Sequence, residues 1–169
     1  WEQEGRTWIL KGTDQANPAG GDWYEVLKDL IELEIRAGRE EIATLGSTTR
    51  IGKVSDLRAK GDPTKVNDDV LRMRKAISGT TKTGKRIKIY GAELNEDSYI
   101  FNQGGSASAG KPAAANIGRP APTLMAGKHT PRIFLTGNGV KLEDAEFVRV
   151  TPRMMARLMG LSDDFKVPS

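Results

Sequence analysis

Glu146-Phe-Val-Arg-Val-Thr-Pro-Arg-Met-Met-Ala-Arg-Leu-Met-Gly160 changes its periodicity in the middle. Its first five residues are a short β run. Thr151 can then cap a helix, and Pro152 falls at the first helical position, where a missing N–H costs nothing. Met155, Leu158 and Met159 recur at helical spacing and are expected to face a core, with Arg153 and Arg157 four apart on one side and Gly160 as the stop. Upstream, Ile133-Phe-Leu135 reads as another strand, joined to the first through Thr136-Gly-Asn-Gly139, and Asn-Gly is the strongest short hairpin signal. Arg86-Ile-Lys-Ile-Tyr90 alternates polar and apolar residues, and Ser98-Tyr-Ile-Phe101 is a further short β run. From Gln103 to Gly118 the chain turns to Gly, Ser, Ala and Asn and reads as a loop with almost nothing to bury.

The first half reads differently. Trp8-Ile9-Leu10 is compatible with a strand, and Asn17-Pro-Ala-Gly-Gly21 is turn chemistry. Asp22 opens a helix, with Glu25 three residues later to complete a capping box. Its apolar stripe is Val26, Leu27, Leu30, Ile31 and Ile35; Gly46 ends it, and Gly38 marks a point where it could break. Asp62-Pro63 has the form of a second helix start, running with Val66, Val70, Met73 and Ile77 inward to Gly79. The expected class is α+β: a helical part over residues 1–82, a strand-rich part over 83–169, and a short C-terminal helix, with no internal repeat.

A length of 169 residues favours one core needing neither disulfide nor metal. No run approaches the roughly 18 apolar residues of a membrane span, so no membrane partner is expected. The chain opens Trp1-Glu-Gln-Glu-Gly with no signal-peptide pattern and no initiator Met, which fits an internal fragment. The net charge of +4 is unevenly spread. Residues 70–92 contain no acid but hold Arg72, Arg74, Lys75, Lys82, Lys85, Arg86 and Lys88. Residues 98–142 again contain no acid but hold Lys111, Arg119, Lys128, Arg132 and Lys141. A surface that meets nucleic-acid phosphate must exclude carboxylates. A solvated basic face would look the same, so a free-standing nucleic-acid module and a protein-interaction domain both stay open on these grounds.

Residues 149–165 resemble the ninth conserved motif of the DNA cytosine-C5 methyltransferases. Arg149, Thr151, Arg153, Ala156, Arg157, Leu158, Gly160, Asp163 and Phe165 match it. Val150, Met154, Met159, Leu161 and Ser162 depart from it, and Met154 in place of Glu removes the reciprocal half of a capping box. In that family the motif braces the target-recognition domain, so the resemblance implies a structural role for Arg149, Thr151, Arg153, Arg157, Gly160, Asp163 and Phe165. Pro122-Thr123-Leu124 resembles the family's Thr-Leu dipeptide, which lies beside the DNA. By that resemblance Asn102 to Arg119 forms a first recognition loop, and Gly127 to Arg132 belongs to a second.

The implied DNA contacts are Gln103, Gly104, Gly105, Ser106, Lys111, Asn116, Arg119, Thr123, Leu124, Lys128, His129 and Arg132. Gln103 and Asn116 suit adenine, while Arg119, Arg132 and Lys128 suit guanine. The basic cluster at 72–88 would add phosphate contacts without sequence preference. Gly137-Asn-Gly-Val140 resembles the family's last motif but precedes the ninth, so it is read as a hairpin. His129 is the only histidine, and without cysteines it anchors no metal site of the usual kind.

The family reaction adds a cysteine thiolate to C6 of a flipped cytosine, so that C5 attacks the methyl group of S-adenosylmethionine. This chain contains no cysteine and none of the cofactor motifs. The resemblance therefore implies a non-catalytic recognition piece of a cytoplasmic, bacterial-type enzyme. Its partners would be double-stranded DNA and the missing catalytic domain of the same polypeptide. S-adenosylmethionine would belong to that parent enzyme, leaving this piece with no cofactor and no metal.

Overall fold

The computed structural model describes residues 2–4, 7–9, 21–104, 112–122 and 130–164. The chain begins with an antiparallel ribbon of β1 (Glu2–Glu4) and β2 (Thr7–Ile9), in which Gln3 stands opposite Trp8. The loop expected at 17–21 lies outside the described residues except for Gly21.

Helix α1 (Trp23–Leu45) starts where its cap predicts: the Asp22 carboxylate accepts from Tyr24 N at 2.8 Å. Glu25 pairs with Lys28 at 3.1 Å instead of closing a capping box. At the other end Gly46 is left-handed, and its N–H donates to Ile42 O at 3.0 Å. The buried stripe is Trp23, Leu27, Ile31, Glu34 and Gly38, so the expected Val26, Leu30 and Ile35 only flank it. The helix runs through Gly38 unbroken. A Cβ there would lie 2.9 Å from Ile51 Cγ1, so the missing side chain lets the helix press onto the sheet.

Beyond α1 come β3 (Ile51–Lys53), a 3₁₀ turn at Val54–Asp56, β4 (Arg58–Ala59) and β5 (Asp62–Val66). The last of these corrects the expected helix start at Asp62-Pro63. Asp62 accepts from Thr64 N at 3.0 Å and Thr64 Oγ1 at 2.6 Å, a turn that delivers the chain into pairing with β4. The cap of α2 (Asp68–Ser78) is Asn67, which accepts from Asp69 N at 2.9 Å. Its inward face is Val70, Met73 and Ala76.

Next is a tight hairpin of β6 (Lys88–Ile89) and β7 (Ala92–Glu93). Tyr90 and Gly91 have φ of 52° and 79°, the positive pair that a type I′ turn requires. The remaining elements are β8 (Ile100–Asn102), β9 (Ala114–Asn116), β10 (Arg132–Phe134), a 3₁₀ turn at Leu142–Asp144, β11 (Glu146–Arg149) and α3 (Pro152–Leu158). β9 falls inside the stretch expected to be a loop. Its alanines pair with β8 and are buried.

Five strands form one antiparallel sheet in the order β3-β11-β10-β8-β9. Alternation sends Ile51, Phe101, Ala115, Ile133 and Val148 to one face, where they pack with Trp23, Leu27, Ile31, Met154 and Leu158. Ile100, Ala114, Phe134 and Phe147 go to the other face, packing with Val54, Val70, Met73, Ile89 and Leu142. The class is α+β, as expected. Across the expected division at residues 82 and 83, β3 lies in one sheet with β8 to β11, and α1 packs into one core with α3.

In α3 the Thr151 hydroxyl accepts from Met154 N at 3.2 Å. Met154, Ala156 and Leu158 are buried, while Met155 and Met159 are only partly so. The lost capping-box carboxylate is thus replaced by a core methionine, and burying such a side chain stabilises by about 1.5–3 kcal/mol. Arg157 clasps α3 to α1, reaching Asp29 Oδ1 at 2.6 Å, Val26 O at 3.2 Å and Asp163 Oδ2 at 2.9 Å. Arg39 grips Glu146 through two bonds of 2.6 and 2.8 Å, tying α1 to β11. Among the described residues, no helix is long and apolar enough to cross a membrane.

Trp23→Ala is expected to cost about 3–5 kcal/mol in urea denaturation, against a total of about 5–15 kcal/mol for such a domain. A loss below about 1 kcal/mol would show that Trp23 does not anchor the core. Acid should also weaken the fold. The Arg39 hydrogen bonds hold Glu146 below its ordinary value of 4.5. For Asp29, burial pushes the carboxyl up, but the Arg157 hydrogen bond and charge outweigh it, leaving it lowered. Both folded values lie under the unfolded ones, so their stabilisation is present above the unfolded values and lost as pH falls through the lowered ones. The Glu146→Gln, Asp29→Asn double variant should flatten that acid limb in melting curves.

Candidate nucleic-acid interface

Antiparallel register brings two rows of residues to one end of the sheet. On the α2 face, Asn102 stands opposite both Ala114 and Arg132, and Arg132 stands opposite Arg149. Arg149 N in turn donates to Arg50 O at 3.0 Å. In the next row, Gln103 N donates to Ala113 O at 2.8 Å and Val150 N donates to Pro131 O at 3.1 Å. The chain leaves this end after Gly104 and returns at Pro112, and it comes back to the same end at Thr130. Gly104 has φ of 82°, and a Cβ on it would meet Thr130 O at 2.8 Å. Its glycine is therefore required by close packing between one segment's exit and the other's return, and not only by approach to a ligand.

The expected contact residues divide into three groups. Gly105, Ser106, Lys111, Thr123, Leu124, Lys128 and His129 lie outside the described residues, as does Phe165 of the brace. Asn116 and Arg119 are engaged within the fold. The Asn116 amide donates to Glu93 O at 2.7 Å and accepts from Asn95 N at 3.3 Å, so both edges that would pair with adenine are already occupied. The Arg119 guanidinium donates to Tyr90 O, pinning the β6–β7 hairpin. Gln103, Gly104 and Arg132 remain at this end of the sheet.

Unpaired polarity is concentrated at that end. Asn102 is 0% exposed and Gln103 2%, and neither amide has a hydrogen-bond partner on its oxygen or its nitrogen. Arg132 Nε and Arg153 Nη1 are likewise buried without a partner. Such groups cost a protein free energy, and each one calls for an explanation. The Arg132 and Arg149 guanidiniums both lie over the Phe147 ring, at 5.6 and 5.8 Å from its centre. Burial, reinforced by the like charge of Arg149, pushes the Arg132 guanidinium below its ordinary value against the opposing pull of Asp69. Among the described residues no carboxylate forms an ion pair with Arg132, Arg149 or Arg153. In the sequence Gln103 and Arg132 are legible as contacts, whereas Asn102 enters only as the edge of the first recognition loop and Arg149 and Arg153 only as braces. The signal was there in Ile100-Phe-Asn-Gln103, where two amides follow directly on a buried strand.

The basic cluster at 72–88 is less uniform in space than in sequence. Arg72 pairs with Asp69 at 3.5 Å, Arg74 with Glu143 at 3.0 Å and Arg86 with Glu93 at 3.6 Å, all three acids coming from outside the acid-free stretch. Lys75, Lys82, Lys85 and Lys88 are exposed and have no ion pair among the described residues. Lys82 and Lys85 sit on a turn closed by Thr81 N donating to Lys85 O at 2.7 Å.

No protein-family model, curated protein or solved structure matches this chain.

Gly104→Ala is expected to destabilise by more than about 1 kcal/mol, because it combines a left-handed backbone with a backbone clash. Equal melting temperatures for the variant and the parent would remove the packing contact between the two segments.

Proposed function

We propose that this chain is the target-recognition portion of a DNA cytosine-C5 methyltransferase, reading duplex DNA from the end of its five-stranded sheet where Asn102, Arg132 and Arg149 align. The observation that supports it best is convergence. The 102–119 and 127–132 segments, which the family resemblance assigns to reading, both meet the sheet at the end where Arg132 and Arg149 lack ion-paired carboxylates. Unneutralised guanidiniums beside segments rich in Gly, Ser and Asn suit a polyanion whose bases must be approached closely. In this reading Arg132 and Gln103 contact DNA, and the exposed lysines at 75, 82, 85 and 88 add affinity that does not depend on sequence. Asn116 and Arg119 hold the scaffold.

The brace reading draws support from part of its residue set. Arg157, Asp163 and Thr151 act within the protein, while Arg149 is exposed and faces the reading end. Methyl transfer needs a cysteine thiolate, which the 169 residues do not contain, so no catalytic step is assigned to this chain. The catalytic domain of a cytoplasmic parent would supply it, together with S-adenosylmethionine. A generic basic nucleic-acid module is the second reading, favoured by the exposed lysines of the 80–88 region.

Titration against short duplexes at several salt concentrations separates these readings. Arg132→Ala should relax site choice in the polypeptide that contains this chain. Arg119→Ala should lower stability without changing site choice. Lys85→Ala should weaken all duplexes alike and reduce the salt slope by about one. Absence of binding even at low salt would sink both readings, whereas binding with no preference for any sequence would leave only the generic module.

A further inference from the structure

We infer that Arg149, Arg132 and Asn102 form a binding site for a single phosphate oxyanion, graded from solvent into the sheet. The inference rests on the DNA reading only for the origin of that phosphate, which is then one phosphodiester of the duplex backbone.

The three residues are consecutive cross-strand neighbours on β11, β10 and β8 and share one face of the sheet. Arg149 is exposed, Arg132 half-buried and Asn102 buried. The Phe147 ring is shared by both guanidiniums, whose carbons lie 5.6 and 5.8 Å from its centre. Two like charges side by side repel, and the usual remedy is a carboxylate between them. Among the described residues no carboxylate forms an ion pair with either guanidinium; the charge of Asp69, itself paired with Arg72 at 3.5 Å, acts on Arg132 but does not outweigh its burial and the like charge of Arg149.

Arg132 Nε and the Asn102 Nδ2 amide are donors shielded from water and bonded to nothing. An oxyanion seated against Arg132 and Arg149 would neutralise the repulsion and accept from both donors. A guanidinium fork with a neighbouring amide is a geometry suited to a tetrahedral phosphate. Exposed lysines provide charge alone; this row also provides position.

Asn102 makes the idea testable apart from folding. A buried amide without partners destabilises the fold, so Asn102→Leu, of similar shape, should raise the melting temperature by roughly 2–4 °C. If the amide serves the oxyanion, the same substitution should weaken phosphate binding. The experiment is a titration with inorganic phosphate, followed by NMR of the arginine Nε and asparagine side-chain signals, for the parent, Asn102→Leu and Arg149→Ala. The parent should show saturable shifts at Arg132 Nε and Asn102 Nδ2, and each variant should lose at least about tenfold in affinity.

Shifts confined to the lysines, or affinity unchanged in both variants, would overturn the site. So would a lowered melting temperature for Asn102→Leu, which would show that the amide is already satisfied. A parallel duplex titration should lose about one unit of salt slope in Arg149→Ala. Phosphate bound at this row with no duplex binding would keep the oxyanion site and remove DNA as its source. Duplex binding with an unchanged slope would do the reverse.

Discussion

The structure depends most on Trp23. It is the first residue of α1, fully buried, and it fastens the helix to the sheet in three ways. Its ring meets Phe101 edge-on at 5.4 Å, its Nε1 donates to Asn116 O at 2.9 Å, and its backbone N donates to Arg119 O at 3.0 Å. An aromatic that buries its body while its polar edge finds a partner contributes area and direction together. The direction matters here because Asn116 belongs to an edge strand only three residues long, made almost entirely of alanine. Little in Ala114-Ala-Asn116 would hold it on β8 without the indole above it and the amide of Asn116 bridging to the β6–β7 hairpin. The edge strand in turn fixes where the 105–111 segment starts and ends.

The two faces of the sheet then divide the work. The face toward α1 and α3 is apolar nearly throughout, and its charged groups pair at the rim, as Arg157 does with Asp29 and Asp163. The face toward α2 changes character along its length. Phe134, Phe147 and Ile100 pack tightly at one end, and one step along the strands the same positions become Arg132, Arg149 and Asn102. A period of two keeps the row on one face, and antiparallel register sets its members side by side.

This also explains what could be read from the sequence. The caps of α1 and α3, the Gly46 stop and strands near 98–101, 133–135 and 146–150 follow from local chemistry, and the structure has the strands within two residues of those bounds, at 100–102, 132–134 and 146–149. Local chemistry misled at Asp62-Pro63, because Asp before Pro caps a helix or forms a turn equally well, and only pairing with Arg58–Ala59 decides. It also missed Ala114–Asn116, since alanine carries no strand preference and the pairing comes from β8. The stripe of α1 slipped by one residue because Trp23 and Gly38 lie on it, one as anchor and the other as a gap. For the site, Gln103 and Arg132 were legible as residue types beside a Gly-rich segment. The involvement of Asn102 and Arg149 was not, because it exists only through register across three strands.

Acid-free stretches of sequence carry less weight than their arrangement in space. Of the seven cations at 72–88, three meet carboxylates, Arg72 within its own helix and Arg74 and Arg86 on Glu143 and Glu93, and the two more exposed pairs contribute little. The exposed lysines that remain act through a solvent in which charge is screened over about 8 Å at physiological ionic strength. They can concentrate a polyanion near the surface, but they cannot orient it. Arg132 is different: it is half-buried, shares an aromatic ring with Arg149, and adjoins an amide that water does not reach. Screening is weak there and geometry is fixed, so a charge placed against it is held at one point. In the proposed reading, attracting a duplex and stopping it in register call for these two kinds of cation, and this fold keeps them apart, the lysines on α2 and the 80–88 segment, the arginines at the sheet end where Asn102, Arg132 and Arg149 align.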